Sequence, residues 1–123
     1  MNKSIAIIGA TNDRTAMSNK AVRAYREQGY EVFPITEEAE EIEGIEAYES
    51  VLDVIPQIDV ASLYVPTDEG RVALQDCSQK GVVEVHFNPG SESDELIAEA
   101  KSFNMKPIVG CSLRALGADP DTL

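Results

Sequence analysis

The sequence contains no tryptophan, one histidine (His86), two cysteines (Cys77 and Cys111) and only 10 basic residues. Each shortage closes off a class of function. With a lone histidine and two cysteines far apart, neither a disulfide framework nor a zinc site has the ligands or the spacing it needs. No Ser or Cys nucleophile stands in a recognisable motif around His86, which ends an apolar run and reads as a packed structural residue rather than a general base. Against the 10 basic residues stand 22 acidic ones, a net charge of −12, which repels nucleic-acid backbones and anionic membranes alike. No apolar run approaches the roughly 20 residues that span a bilayer, and Met1-Asn2-Lys3 leads straight into an apolar segment without the long apolar region of a signal peptide. A cytoplasmic protein is expected.

What is present is an ordinary globular composition, 43% hydrophobic over 123 residues, enough for one domain spanning 1–123 with one core. The organising stretch is Ser4-Ile5-Ala6-Ile7-Ile8-Gly9-Ala10-Thr11-Asn12. A continuous apolar run ending in glycine reads as a strand buried on both faces that then turns sharply. Met17, Ala21, Val22 and Tyr25 recur at helical spacing from Ala16 onward, so a polar turn separates the strand's carboxyl end from a helix's amino end. Unpaired N–H groups and the helix dipole make such a junction suited to phosphate. Gly9 to Lys20 is therefore a candidate nucleotide or phosphate site, with Arg14 and Lys20 as the nearest cations. Only the first glycine of a three-glycine dinucleotide fingerprint is present.

Further along, Gln28-Gly29 stops the helix and Tyr30 to Ile35 forms a second strand, a parallel pair with the first. Seven glutamates between Thr36 and Glu49 read as a solvated surface loop with a turn at Gly44. Glu37 falls just past the second strand, where a dinucleotide fold places an acid on a ribose hydroxyl. Ser50 caps a short helix stopped by Pro56. Ile58 to Val65 is a third strand, and Thr67 is the expected N-cap of a helix closed by Gly81, with Cys77 on its buried side. Val82 to Phe87 is the fourth strand, Asn88-Pro89-Gly90-Ser91 a turn, Leu96, Ile97, Ala100 and Phe103 one face of another helix, and Lys106 to Cys111 the fifth strand.

Five strands alternating with helices predict an α/β fold with an open, doubly wound parallel sheet, in which ligands gather at the carboxyl ends of strands. The candidate site then draws on the Gly9 turn, Val65-Pro66-Thr67, Asn88-Pro89-Gly90 and Cys111-Ser112.

Ile5 to Thr11, Ser18-Asn19-Lys20-Ala21-Val22, Tyr30 to Ile35, Leu63-Tyr64-Val65, Phe87-Asn88-Pro89-Gly90 with Glu92, and Cys111-Ser112 together resemble the small single-domain CoA-binding proteins. These are similar to the CoA-binding domain of the succinyl-CoA ligase α subunit, and the resemblance runs from Ser4 to about Leu116. It implies a Rossmann-like fold that holds the ADP part of coenzyme A without intrinsic catalysis, and it assigns no catalytic or metal-ligating residue. By matched position, Gly9, Ala10 and Thr11 approach the diphosphate, with Asn12 in the same turn and Ser18, Asn19 and Lys20 beside it. Pro34 and Ile35 border adenine and ribose, Val65, Pro66 and Thr67 lie along the ligand, and Asn88, Pro89 and Gly90 form the rim. Two departures stand out. Ala16 occupies the place of an Arg common in relatives, with Arg14 the nearest substitute, and Thr36-Glu37-Glu38 replaces an Asn-Pro, making a lip unfriendly to the 3′-phosphate of coenzyme A. The alternatives are a binding protein for NAD or another adenine nucleotide, and a thiol-dependent acyl-CoA enzyme using Cys111. The expected partner is a small-molecule nucleotide, with a second copy of the chain or a separate ligase-like subunit as the macromolecular possibilities.

Overall fold

The computed structural model describes residues 3–123; Met1 and Asn2, which the sequence reading places ahead of the first strand, lie outside the described residues. The apolar run opens as strand β1 (Ser4–Ile8) and is followed by helix α1 (Met17–Glu27) and strand β2 (Glu31–Ile35). Then come two short strands, β3 (Glu41–Ile42) and β4 (Ile45–Glu46), and a 3-10 turn at Val51–Asp53. Strand β5 (Val60–Leu63), helix α2 (Thr67–Lys80), strand β6 (Glu84–Phe87), helix α3 (Asp94–Ser102), strand β7 (Lys106–Val109) and helix α4 (Ser112–Leu116) complete the alternation, with a last 3-10 turn at Pro120–Thr122.

The five longer strands form one parallel sheet in the order β2-β1-β5-β6-β7. The chain winds outward one way from β1 and then the other, so the order reverses between β1 and β5 and leaves a crevice at their carboxyl ends. Both faces are covered, which is why the strands read as unbroken apolar runs. Ala6, Ile8, Phe33, Ile35, Ala61, Leu63, Val85 and Phe87 face Leu74 and Cys77 of α2 and Leu96 and Ala100 of α3. Ile5, Ile7, Val32 and Val60 face Ala21, Val22 and Tyr25 of α1 and Leu113 of α4.

Both outer strands carry a proline. Tyr48 N–H donates to the Pro34 carbonyl at 3.0 Å from outside the sheet, so the ring nitrogen of Pro34 also points outward. In β7, Lys106 N–H donates inward to Val83 O at 2.7 Å, so the next residue, Pro107, points out. Proline is tolerated in a sheet only in such positions.

Three local expectations are corrected. The glutamate-rich stretch is a loop only in part: β3 and β4 pair antiparallel, Ile42↔Ile45, and Ile42 is 1% exposed in the α1-side cluster. A Glu43-Gly44 turn with φ of 51° and 79° closes this hairpin, both values positive as a tight two-residue hairpin demands. Ser50 does accept a hydrogen bond, from Leu52 N–H at 3.1 Å, but what it caps is a single 3-10 turn. Thr67 is the first helical residue of α2 rather than its cap; the cap position belongs to Pro66, which has no side-chain hydrogen bond to offer.

Candidate functional site

At the crevice, β1 is followed by Gly9, whose φ is +93° and whose missing Cβ would lie 2.8 Å from both Tyr64 O and Val65 Cγ1. Glycine is needed here twice over, for the left-handed turn and for the approach of the β5 backbone. Gly9 and Ala10 both donate their N–H to Ile35 O, at 3.0 and 3.2 Å, drawing the loop across the end of β2. Those two amides serve the fold, so any anion held by this loop must meet groups further along it.

Helix α1 begins just beyond, with no side-chain cap and no acidic residue in its first turn. In contrast, α2 carries Asp68 and Glu69 there, and α3 carries Asp94 and Glu95 behind a Ser93 cap. In so acidic a chain, α1 thus presents an amino end left open to an anion.

Between this loop, the end of β2 and the start of α2 lies a cleft of about 620 Å³. Its floor is apolar, from Ile8, Ile35, Val65 and Ala73, and its walls include Gly9, Ala10, Thr11, Tyr64, Pro66 and Val72. Glu37, Glu38, Glu49, Glu69 and Asp76 also line it, with no Lys or Arg among the lining residues. An acidic hollow of about 740 Å³ adjoins it through Thr36, Glu37, Glu38 and Glu49.

The candidate residues divide accordingly. Gly9, Ala10, Thr11, Ile35, Val65 and Pro66 meet in the cleft. Pro34 is buried in β2 one residue short of it, and Thr67 follows the lining Pro66. Asn12 is turned to the hairpin, its Nδ2 donating to Glu41 O at 2.9 Å and its Oδ1 accepting from Glu43 N–H at 3.0 Å. Ser18 and Asn19 are buried, and Asn19 Nδ2 donates to Thr11 O at 2.9 Å, fixing the loop. Arg14 pairs with Glu43 at 2.8 Å, and Lys20 Nζ donates to Pro120 O at 2.8 Å, so neither cation lines the cleft.

Asn88 is 1% exposed and joins three elements. Its Nδ2 donates to Ser62 Oγ at 2.7 Å and Leu63 O at 2.9 Å, while its Oδ1 accepts from Ser112 N–H and Ser112 Oγ, each at 2.9 Å. Tyr64 and Tyr25 hydroxyls bond Ser112 from the same side, at 2.9 Å to its Oγ and 2.9 Å to its carbonyl. Pro89 and Gly90 are exposed beyond β6, and Cys111 is half-buried against the α1-side cluster; none of the three lines the cleft.

The titratable groups near the sheet are few. Burial pushes the Cys77 thiol up to about 12, far from reactive. His86 is buried on β6 with no partner for its Nδ1 among the described residues; burial lowers its pKa, with Glu84, 3.8 Å from Nε2, pulling the other way. No cluster of three or more potential metal ligands occurs among the described residues, and no helix is long and apolar enough to cross a membrane. Sequence reasoning missed Tyr64, Glu69, Val72, Ala73 and Asp76 in the lining. The last four follow helical spacing along one side of α2, a signal present once Val65-Pro66 is taken as the site's edge.

The family model described as "CoA binding domain" matches residues 3–116. This chain belongs to the CoA-binding domain family. Among curated proteins, the CoA-binding domain is similar to the alpha subunit of acetate–CoA ligase (ADP-forming) II of Pyrococcus furiosus, 35% identical over 81 residues, 65% of this chain and 18% of that one. It is also similar to the acetate–CoA ligase (ADP-forming) of Methanocaldococcus jannaschii, 36% identical over 80 residues, 65% of this chain and 11% of that one. The domain thus spans under a fifth of the length of these relatives. Among solved structures, a hypothetical protein from Pyrococcus horikoshii superposes with a TM-score of 0.88 at 27% identity, covering 92% of this chain and 80% of that one. A dinucleotide-forming acetyl-coenzyme A synthetase of Candidatus Korarchaeum cryptofilum, in complex with phosphate and ADP, superposes with a TM-score of 0.75 at 29% identity over 85% of this chain and 25% of that one.

Proposed function

We propose that this chain binds coenzyme A or an acyl-CoA through the ADP portion, in the cleft beside Gly9, and performs no reaction of its own. The observation that carries the reading is the coincidence of a family match over residues 3–116 with a cleft at the point where strand order reverses. The apolar floor of Ile35, Val65 and Ala73 suits an adenine ring, and the Thr11-Asn12 turn with the open end of α1 suits a diphosphate. The matches support coenzyme A and lend none to NAD. On this reading residues 1–123 act as one nucleotide-holding domain, and relatives named as alpha subunits favour a separate ligase-like chain as partner.

Calorimetric titration of coenzyme A, acetyl-CoA, ADP and NAD tests it. Coenzyme A saturates one site, NAD binds more weakly, and Thr11→Glu, which sets a carboxylate at the phosphate turn, weakens coenzyme A by about tenfold or more. Absence of binding heat with coenzyme A, acetyl-CoA and ADP refutes the proposal. Gly9→Val is a poor probe because its side chain would collide with the β5 backbone whatever the ligand.

A further inference from the structure

Glu43 is held in a way that its hairpin turn does not require. Its φ of 51° puts a non-glycine residue in the left-handed region, at a position where Asn, Asp or Gly is the low-energy choice. Its side chain is only 11% exposed and its carboxylate is enclosed by donors. Arg14 Nη1 reaches Oε1 at 2.8 Å, and Asn19 Nδ2 reaches Oε2 at 3.1 Å. Arg26 donates to the Glu43 carbonyl at 2.7 Å. The Asn19 hydrogen bond, with Arg14, Arg23 and Arg26 nearby, lowers the pKa of the carboxyl. These donors are themselves fixed: Asn19 is fully buried, and its Oδ1 accepts from Arg23 Nε at 2.8 Å. The result is a built anion site with a carboxylate in it, at the far end of the Gly9 loop from a cleft whose lining has no cation.

We propose that Glu43 occupies an anion site beside the nucleotide cleft, joined to its lining through the Asn19–Thr11 hydrogen bond, and that a phosphate of the bound ligand exchanges with its carboxylate there. This rests on the nucleotide reading above. The ligand class is a phosphate ester or diphosphate, which offers more negative charge and more acceptor oxygens to the arginines than a carboxylate does. Arg14, with a side chain 63% exposed, is free to turn toward it. Ile42 stays buried and anchors the hairpin, so only the Glu43 side chain has to move. Until a ligand arrives, the carboxylate neutralises the clustered arginines and holds the loop in place. Every incoming anion therefore meets an internal competitor, and affinity stands below what the donors alone would allow.

The test compares wild type with Glu43→Gln and Glu43→Asn, the second of which suits the left-handed turn and preserves the hairpin; thermal melts verify that both fold. Each is titrated by calorimetry with inorganic pyrophosphate and with coenzyme A. Pyrophosphate binds each variant at least about tenfold more tightly than wild type once the competing charge is gone, and adding Arg14→Ala to Glu43→Gln removes the gain. Equal or weaker pyrophosphate binding by the folded variants overturns the inference and makes Glu43 a structural brace. A pyrophosphate gain with no coenzyme A binding by any form supports the anion site while refuting the coenzyme reading.

Discussion

Replacing Asn88 with alanine separates two roles that its position at the end of β6 allows, a rim for the ligand or a strut for the fold. In the structure its amide joins β5 to the start of α4 through Ser62 Oγ, Leu63 O and both polar groups of Ser112. All of these groups are buried, so bulk water does not reach them. The two serine hydroxyls, already 2.8 Å apart, can turn to each other. The N–H of Ser112 and the loss at Leu63 O remain, at about 1–3 kcal/mol for each stranded group. The expected destabilisation is about 3–4 kcal/mol. An unfolding entropy of about 2.1 cal/mol/K per residue makes this a fall in Tm of about 12–15 °C for a chain of this length. Scanning calorimetry reads that fall, and coenzyme A titration well below the new Tm reads the other role, where Kd stays within about threefold of wild type, a shift of about 0.65 kcal/mol. A Tm change under about 4 °C, or a strong loss of affinity in the folded variant, would refute the assignment of Asn88 as a strut.

Two further expectations concern charge. If the ribose lies over the lip at Glu37 and Glu38, dephospho-CoA binds wild type at least as tightly as coenzyme A; Glu37→Gln with Glu38→Gln then improves coenzyme A selectively, by about 1–2 kcal/mol after solvent screening, and tighter wild-type binding of coenzyme A than of dephospho-CoA counts against that placement. His86 titrates below its unfolded value because burial disfavours the imidazolium, so the unfolded chain binds more protons and the stability tied to His86 is present above about pH 6.5 and lost as pH falls through the lower folded pKa. Melts of wild type and His86→Asn between about pH 5 and 7.5 should converge toward the acid end; a gap that widens on acidification contradicts the sign.

The sheet strands are legible because burial on both faces leaves unbroken runs such as Ile5-Ala6-Ile7-Ile8, and Gly29 and Gly81, both left-handed in the structure, mark the stops of α1 and α2. The Gly9 turn is legible for the same reason: strand, glycine and polar turn follow one another in sequence. What the sequence hides is contact made across the chain. The hairpin around Glu43 is masked by its glutamates, although Ile42 and Ile45 flank a Glu-Gly pair. That Glu43 serves Arg14 and Asn19, rather than water, depends on a separation of 24 and more residues. Lys20 and Arg14 read as ligand cations because they stand near the loop in sequence, while their partners in the structure, Pro120 and Glu43, are distant in the chain. Asn88 reads as a rim because Asn-Pro-Gly is turn chemistry, while its buried partners come from β5 and α4. Ser112–Leu116 is too short a helix to show a period.

The outward-pointing prolines of β2 and β7 set how this sheet can meet other molecules. A strand arriving at β7 finds a missing donor and a ring where the ladder would have to continue, and at β2 it finds the Pro34 carbonyl already taken by Tyr48, so growth by adding strands is disfavoured at both ends. Helices, loops and the sheet's flanks are then the surfaces left for contact with another polypeptide. Such a unit can be set within a much longer chain, or stand apart from one, without its sheet fusing to a neighbour's.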